Sequence, residues 1–257
     1  MTWLLTLAFD GTEYCGFQVQ PNGRSVAAAF QDGLEAVIGR RPDIKGCSRT
    51  DAGVHALGFA LSFEADLRIP PEKLPLALNT KLPRDIRVLS ARVVPDGFHA
   101  RYAAHSKTYL YRIRNSPIDS PFEERYYCRI PGRLDVERMQ RAAAHFVGTH
   151  DFLALCAAHS SAAAHGDTVR TITACGAERH GDTVEITVTA DGYLYNMVRI
   201  LAGTLIEIGN GKLAPDAIAR AIESGDRLDL GMTAPARGLT LLRVFYGDDA
   251  AAADYFA

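Results

Sequence analysis

The sequence predicts an α+β fold made of two α/β halves whose sheets are largely antiparallel. Three observations support this class. The first hundred residues show apolar runs and helical patterns in the order β-α-β-β-α-β, and the rest of the chain repeats the theme with longer connections. At 257 residues and 47% hydrophobic, the chain can bury a core in one large domain or two ordinary ones. We place the halves at 1–104 and 105–246, followed by a flexible small-residue tail at 247–257.

The best-defined element of the first half is a helix. Val26, Phe30 and Leu34 recur at helical spacing, Ser25 precedes them as an N-cap, and Gly39 ends the pattern. The other predicted elements are strands at 4–9, 45–47, 57–63 and 86–94 and a short helix at 71–78 that begins with proline.

The second half is predicted to hold a β-hairpin and three helices. Asp135 caps the first helix and Gly148 closes it, while Gly209 closes the second. Residues 157–167 are rich in Ala, Ser and His, lack periodicity, and are predicted to form a loop. The predicted strands are 107–114, 169–177, 183–190 and 239–245, and the helices are 136–147, 195–208 and 215–224.

Charge and cysteine usage narrow the class of protein. The chain has 28 Lys and Arg against 30 Asp and Glu, which argues against a generic, strongly basic nucleic-acid coat protein. Its five cysteines are scattered without a C-x-x-C pair, so reduced thiols in a cytoplasm are expected rather than zinc or disulfides. The first ten residues lack a basic leader region, and no apolar run approaches a membrane span.

The most informative segment surrounds Asp51. Arg49 lies two residues before this acid, the bendable pair Ala52 and Gly53 follows it, and an apolar run at 57–63 comes next. This order predicts a loop that leads into a strand. A carboxylate held beside Arg49 has a lowered pKa and stays ionised, as a nucleophile or general base requires. The alternative interpretation is an acid that caps a turn, with Arg49 as its surface partner.

The run RTDAGVHA at 49–56 resembles the signature of the TruA family of tRNA pseudouridine synthases. Further blocks are similar to that family and follow its order, so the resemblance covers nearly the whole chain from residue 10 to 246. These blocks are DGTEYCGFQVQ at 10–20, FHARY at 98–102 with KTYLYRI at 107–113, GTHDF at 148–152, LYNMVRILAGT at 194–204 and APARGL at 234–239. Two positions depart from the family pattern, with Ser48 in place of the usual Gly and Phe17 in place of the usual Trp.

The resemblance implies a fold in which the two sheets flank a central RNA-binding cleft. It implies conversion of uridines 38, 39 and 40 of the tRNA anticodon arm to pseudouridine, with the uridine flipped out of the stack. It also implies a homodimer across which one tRNA lies. The isomerisation needs no redox change or energy input, so no cofactor is expected. Asp51 is the predicted catalytic residue, and Arg49 is predicted to fill the vacated space or hold a phosphate.

A basic aromatic stretch at 98–114 contains no acid and interleaves cations with tyrosines. Cations for phosphate and aromatic faces for bases suit RNA binding, whereas the alternative is a half-buried strand with ordinary aromatic packing. The resemblance assigns Tyr109 to packing against the target base, and Tyr111 then packs beneath it. The members of the stretch are Arg101, Lys107, Arg112 and Arg114 with Tyr102, Tyr109 and Tyr111.

Arg199 lies on an otherwise apolar helix. A lone arginine among apolar neighbours is costly unless a carboxylate meets it, and Glu207 is two turns away. Its partner is therefore expected from elsewhere, and the resemblance favours Asp51. The alternative is an arginine that extends to solvent at the helix edge. Gly203, one turn later, predicts close approach of this helix to another segment.

No metal site is expected. His55 follows Asp51 by four residues, but on a loop this spacing brings no ligands together and no third ligand follows. We include His55 in the substrate-binding site as a residue that shapes the loop by hydrogen bonds. Two other classes stay open: an RNA-binding protein of the same fold without chemistry, and a nucleoside glycosidase. The second class usually needs two carboxylates across the bond, and no second acid adjoins Asp51.

Overall fold

The computed structural model describes residues 1–21, 23–157 and 161–247, and the chain divides into two compact units. Of the described residues, the first unit contains those from Met1 to Lys107 and from Leu241 onward, and the second contains those from Thr108 to Thr240. The predicted division assigned the last strand to the second half. Residues 241–247 instead cluster with the first unit, where the last strand pairs with the strand at 55–64. Apart from Gly247, the predicted flexible tail lies outside the described residues.

The described residues form ten β-strands and six α-helices. In chain order these are β1 Thr2–Phe9, α1 Val26–Ile38, β2 Ile44–Gly46, β3 His55–Glu64, α2 Leu74–Asn79, β4 Ile86–Val94, β5 Ser106–Arg114, β6 Cys128–Arg129, α3 Val136–Ala143, β7 Gly148–Asp151, α4 Ser161–His165, β8 Val169–His180, β9 Thr183–Ala190, α5 Met197–Gly209, α6 Ala217–Ser224 and β10 Leu239–Phe245.

In the first unit the strands follow the order β4-β1-β3-β10, with β2 paired to β3. The β1–β3, β1–β4 and β2–β3 pairs are antiparallel. The predicted ends of α1 are confirmed. The Ser25 side chain accepts a hydrogen bond from the Ala28 N–H over 3.2 Å, and Gly39 ends the helix with a φ of 73°, where a side chain would be strained. The buried Phe30 and Leu34 anchor this helix in the core.

In the second unit the strands follow the order β5-β9-β8-β7, with β6 parallel to β5. The predicted hairpin is confirmed as β8 and β9, which pair antiparallel, and β7 extends the sheet antiparallel to β8. Helix α5 is buried on almost all sides, as its apolar composition requires, and α3 packs against it and against β8. The predicted α+β class with largely antiparallel strands is confirmed.

Several boundaries differ from the predicted ones. The helix expected at 136–147 ends as α3 at Ala143, continues as a 3₁₀ turn over Ala144–Phe146, and Gly148 then opens β7. Helix α5 begins at Met197 because Asn196 has a left-handed φ of 63°. The loop expected at 157–167 contains α4, although its residues 158–160 lie outside the described part of the chain.

Candidate active site

Asp51 lies in the loop between β2 and β3, as the sequence predicts. The segment before α1 holds the main chain of this loop. The Phe17 N–H donates to the Thr50 carbonyl over 3.1 Å, and the Gly53 N–H donates to the Tyr14 carbonyl over 3.3 Å. Main-chain bonds on both sides of Asp51 therefore fix its position, whatever its side chain contacts.

Two glycines of that segment make the close approach possible. Gly16 has a φ of 108°, and a Cβ placed on it would lie 2.6 Å from the carbonyl oxygen of Thr50. A Cβ on Gly11 would collide with the carbonyl oxygen of Val54. Both contacts are with main chain, which cannot move aside as a flexible side chain can. Glycine is thus required beneath the Asp51 loop.

His55 fastens the end of the loop to the opening segment. It is the first residue of β3 and only 4% exposed. The Gly11 N–H donates to its Nδ1 over 3.1 Å, and the Oδ1 atom of Asp10 lies 3.2 Å from the same nitrogen. His55 therefore makes a hydrogen bond at the end of the loop, and its expected role in shaping the loop stays a prediction.

The two charged side chains of the loop have different environments. Asp51 is half-buried, whereas Arg49 is exposed. Within the described part of the chain Arg49 makes no hydrogen bond or ion pair, so the expected Arg49–Asp51 pair is wrong. The physical reason is that the Arg49 side chain lies in solvent, where an ion pair gains little and does not offset the entropy lost by fixing a long side chain.

Tyr109 lies on β5 with a nearly buried ring. It is 6% exposed, and the ring of Tyr193 meets it edge to face with 5.0 Å between centroids and 84° between planes. The Tyr193 hydroxyl in turn donates to the Val188 carbonyl over 2.9 Å. An edge-to-face contact with a ring that is itself hydrogen-bonded restricts how the Tyr109 ring can turn.

Tyr111, two residues later, is fully buried. Its hydroxyl donates to the Pro235 carbonyl over 2.9 Å, and a Cβ on Gly238 would lie 2.7 Å from its ring. Burial raises the pKa of the Tyr111 phenol, which therefore stays neutral. With no exposed surface, this ring packs inside the second unit and is not open to a substrate.

Arg199 is in the first turn of α5, and hydrogen bonds hold its guanidinium. The Nε atom donates to the Ala234 carbonyl over 2.8 Å, and Nη1 donates to the Oδ1 atom of Asn196, also over 2.8 Å. Asn196 was not among the predicted site residues, although an asparagine three residues before Arg199 was a usable signal. The expected pairing of Arg199 with Asp51 stays a prediction.

The close approach predicted at Gly203 is confirmed. A Cβ on this residue would collide with the carbonyl oxygen of Met232. The same segment continues to Ala234, whose N–H donates to the Arg199 carbonyl over 3.0 Å while its own carbonyl accepts from the guanidinium. Glycine at position 203 therefore allows the segment at 232–234 to lie against α5, where it can accept a hydrogen bond from Arg199.

The basic aromatic stretch at 98–114 divides into two parts. On β5, Arg112 pairs with Glu185 over 3.2 Å and Arg114 likewise lies against carboxylates. Lys107 is 8% exposed, and burial lowers the pKa of its ammonium group. Only Arg101, before the strand, keeps an exposed guanidinium. The strand cations thus serve the fold, and the part open to solvent is the turn around Arg101.

The described ranges contain no group of three or more His, Cys, Asp or Glu side chains able to hold a metal ion. None of the helices in those ranges combines the length and apolar character needed to cross a bilayer.

Comparisons with known proteins agree with the motifs. The family described as tRNA pseudouridine synthase matches residues 6–103 and 142–247. The tRNA pseudouridine synthase A of Bacillus pumilus is 42% identical over 244 residues, which cover 94% of this chain and 97% of the relative. That of Citrifermentans bemidjiense is 43% identical over 243 residues, which cover 94% and 96%. With a family match along both units and such identity over nearly its whole length, the chain belongs to the TruA family of tRNA pseudouridine synthases.

Proposed function

We propose that this chain converts uridines 38, 39 and 40 of the tRNA anticodon arm to pseudouridine, with Asp51 as the catalytic carboxylate. The observation that carries the proposal is the half-buried Asp51 on a loop whose main chain is fixed at Thr50 and Gly53. A carboxylate on a loop whose main chain is fixed meets each bound substrate at the same place, which lowers the entropic cost of the reaction. The family and the names of the relatives supply the substrate class.

The reaction is an isomerisation. The bond between uracil N1 and ribose C1′ breaks, the uracil rotates, and a bond between C5 and C1′ forms. A proton leaves C5 and a proton is gained at N1, so atoms and charge balance without an oxidant, a reductant or an energy source. The target uridine must leave the stack before its glycosidic bond can be reached, so base flipping precedes the chemistry.

Asp51 acts in its ionised form by one of two routes. Its carboxylate either attacks C1′ and forms a covalent sugar intermediate, or it removes a sugar proton so that the base departs. Both routes give the same product. Arg49, with its guanidinium in solvent, fills the space that the flipped uridine leaves or holds a neighbouring phosphate.

The remaining residues position the carboxylate and the base. Tyr109 stacks on the uracil and helps to remove the C5 proton, while the buried Tyr111 supports that part of β5. Arg199 positions Asp51 and keeps it charged, and the hydrogen bonds to its Nε and Nη1 atoms favour one orientation of the guanidinium. His55 contributes to substrate binding by holding the start of β3 against the opening segment.

A homodimer in the cytoplasm completes the proposal, with one tRNA in contact with both copies. The net charge of −2 supports the dimer. A nearly neutral chain attracts tRNA only through local groups of cations, and two copies bring twice as many such groups to one tRNA. Sedimentation of the protein alone and with tRNA measures the assembly. A monomer in both conditions would rule out the shared-substrate arrangement.

Tritium release tests the activity itself. Purified protein is mixed with a tRNA transcript labelled with tritium at uracil C5, in the presence of a chelator and without cofactor. The expected result is release of tritium from uridines 38, 39 and 40 and none from a transcript with cytidine at those positions. Binding without release from any transcript would leave an RNA-binding protein of the same fold. Release of free uracil would instead indicate a glycosidase.

A further inference from the structure

Tyr102 is a large aromatic side chain that the fold leaves in solvent. It is 78% exposed, although it lies in a basic stretch whose other tyrosines, Tyr109 and Tyr111, are buried. Single exposed aromatic residues are common on protein surfaces. Tyr102 differs from an incidental one because the turn that carries it is anchored, a second ring lies against it, and arginines without a carboxylate partner among the described residues lie nearby.

The turn that carries Tyr102 is anchored within the first unit. The hydroxyl of Tyr246 donates to the Ala100 carbonyl over 2.6 Å, and the Ala100 N–H donates to the Ser62 hydroxyl over 3.1 Å. The ring of Phe98 packs against that of Tyr246 with 5.3 Å between centroids. These bonds fix the turn before any ligand arrives, so a ligand need not supply the free energy of ordering it.

The ring of His99 lies against Tyr102, with 4.3 Å between ring centroids and 37° between planes. The Arg101 N–H donates to His99 Nδ1 over 3.1 Å, which keeps that nitrogen unprotonated. Burial, followed by the charge of Lys45, lowers the pKa of His99, so the ring is neutral at physiological pH. A neutral ring supports Tyr102 without adding charge of its own.

Two arginines of this region have no carboxylate partner in the described part of the chain. The Arg101 guanidinium carbon lies 5.8 Å from the Tyr102 ring centroid, and Arg40 lines a groove of about 600 Å³ that His99 also lines. Neither arginine forms an ion pair within the residues that the structure describes. The groove's other cations already have carboxylate partners, namely Asp32 and Glu35 for Arg41 and Asp43 for Lys45.

We propose that Tyr102 is a stacking platform for an unpaired base of the substrate tRNA, and that Arg101 and Arg40 hold the phosphates on either side of that base. An exposed aromatic ring beside arginines is suited to single-stranded RNA, because every base offers a face for stacking and every linkage offers a negative charge. This inference rests on the proposed function only in taking tRNA as the ligand. It adds a nucleotide contact besides the target uridine.

The first experiment compares the Kd for a tRNA transcript with the turnover at saturating tRNA. Stacking on an aromatic side chain is worth enough that Tyr102→Ala should weaken binding by about 5- to 150-fold. Turnover at saturating tRNA should stay within about twofold of wild type, because the platform binds both ground and transition states. Tyr102→Phe should bind as wild type does, whereas Tyr102→Leu should bind like the alanine variant.

Fluorescence provides a direct readout of stacking. The chain has one tryptophan, Trp3, which is 1% exposed, so Tyr102→Trp adds an exposed fluorophore. Its emission should be quenched when tRNA is added. The matched control is Phe122→Trp, at a position that is 90% exposed and followed by Glu123 and Glu124, and its emission should not change.

Salt dependence tests the two arginines. Arg40→Gln and Arg101→Gln should each reduce the slope of log Kd against log salt by about one, the value for one lost phosphate contact, whereas Tyr102→Ala should leave it unchanged. An unchanged Kd for Tyr102→Ala, or leucine serving as well as phenylalanine, overturns the platform. A loss of turnover with an unchanged Kd overturns it too. The Kd, the fluorescence and the salt dependence measure binding alone, so absence of isomerisation in the wild type would affect only the turnover comparison.

Discussion

The Asp51 loop and the first turn of α5 each present a charged side chain, and the fold holds them in opposite ways. In the loop, hydrogen bonds and glycine contacts fix the main chain, while the Arg49 side chain is left in solvent. In α5, hydrogen bonds hold the guanidinium of Arg199 itself. The loop therefore specifies where a residue lies, and the helix specifies how a side chain is oriented. Substitutions of backbone-shaping residues should harm the first region, and substitutions of side-chain partners should harm the second.

The largest effect is expected at the residue that the loop positions. Asp51→Asn keeps the shape of the side chain and removes its charge. The rate of tritium release should fall by at least about 10³-fold, because a positioned general base typically contributes about 10²- to 10⁴-fold to a rate. The Kd for tRNA should change by less than about threefold, because the main-chain contacts of the loop do not depend on this charge. The matched control is Asp66→Asn, an exposed acid whose loss should leave release unchanged. Residual release above a tenth of the wild-type rate would contradict a catalytic role.

The next effect tests how the loop is held. Gly16→Ala places a side chain on a residue with a φ of 108°, which strains the backbone, and its Cβ clashes with the Thr50 carbonyl. The substitution should destabilise the protein by about 2–4 kcal/mol and also lower turnover. Gly39→Ala is the matched control, because its φ of 73° carries similar strain with nothing within 4 Å of the new Cβ. It should destabilise by only about 1 kcal/mol and leave turnover unchanged. Denaturant unfolding and tritium release measure both, and equal costs would show that the close contact does not shape the loop.

The third effect tests whether the Asn196 side chain orients Arg199 in the first turn of α5. Asn196→Ala and Asn196→Gly both remove the acceptor for Arg199 Nη1, so both should lower turnover by about tenfold, the lower end for a hydrogen bond to a charged group. Only the alanine variant also meets the cost of the left-handed φ of 63°, and it should be less stable than the glycine variant by about 1 kcal/mol. Asn196→Asp, which keeps the acceptor, should retain most of the turnover. If the glycine variant turns over normally, this hydrogen bond does not orient Arg199.

Local patterns predicted much of the fold. The caps at Ser25 and Gly39 gave α1 its bounds, and the apolar runs at 86–94 and 239–245 coincide with β4 and β10. Strands of two and four residues, β6 and β7, are too short to show alternation and were not predicted. The assignment of most of β10, from Leu241, to the first unit was not predicted either, because pairing partners far apart in the chain leave no local signal.

The candidate site was predicted unevenly for a related reason. The loop position of Asp51 and the hydrogen-bonding role of His55 follow from residue order, which a single sequence contains. The Ala234 carbonyl that Arg199 Nε meets is a main-chain group 35 residues away, and any residue type can supply one. The expected Arg49–Asp51 pair failed because proximity in the chain does not bring an exposed side chain such as that of Arg49 against its neighbour.

The smallest effect on stability is expected at Arg49, whose guanidinium lies in solvent whereas hydrogen bonds hold that of Arg199. Arg49→Gln removes a guanidinium that makes no ion pair among the described residues, so the free energy of unfolding should change by less than about 0.5 kcal/mol. If Arg49 holds a phosphate, the slope of log Kd against log salt should fall by about one, and Arg49→Lys should restore it. If Arg49 instead fills the space of the flipped uridine, Arg49→Lys should bind normally yet turn over slowly, because lysine lacks the planar group that stacks in such a space. A stability loss comparable to that of Asn196→Ala would contradict the view that the loop fixes its backbone and leaves this side chain free for RNA.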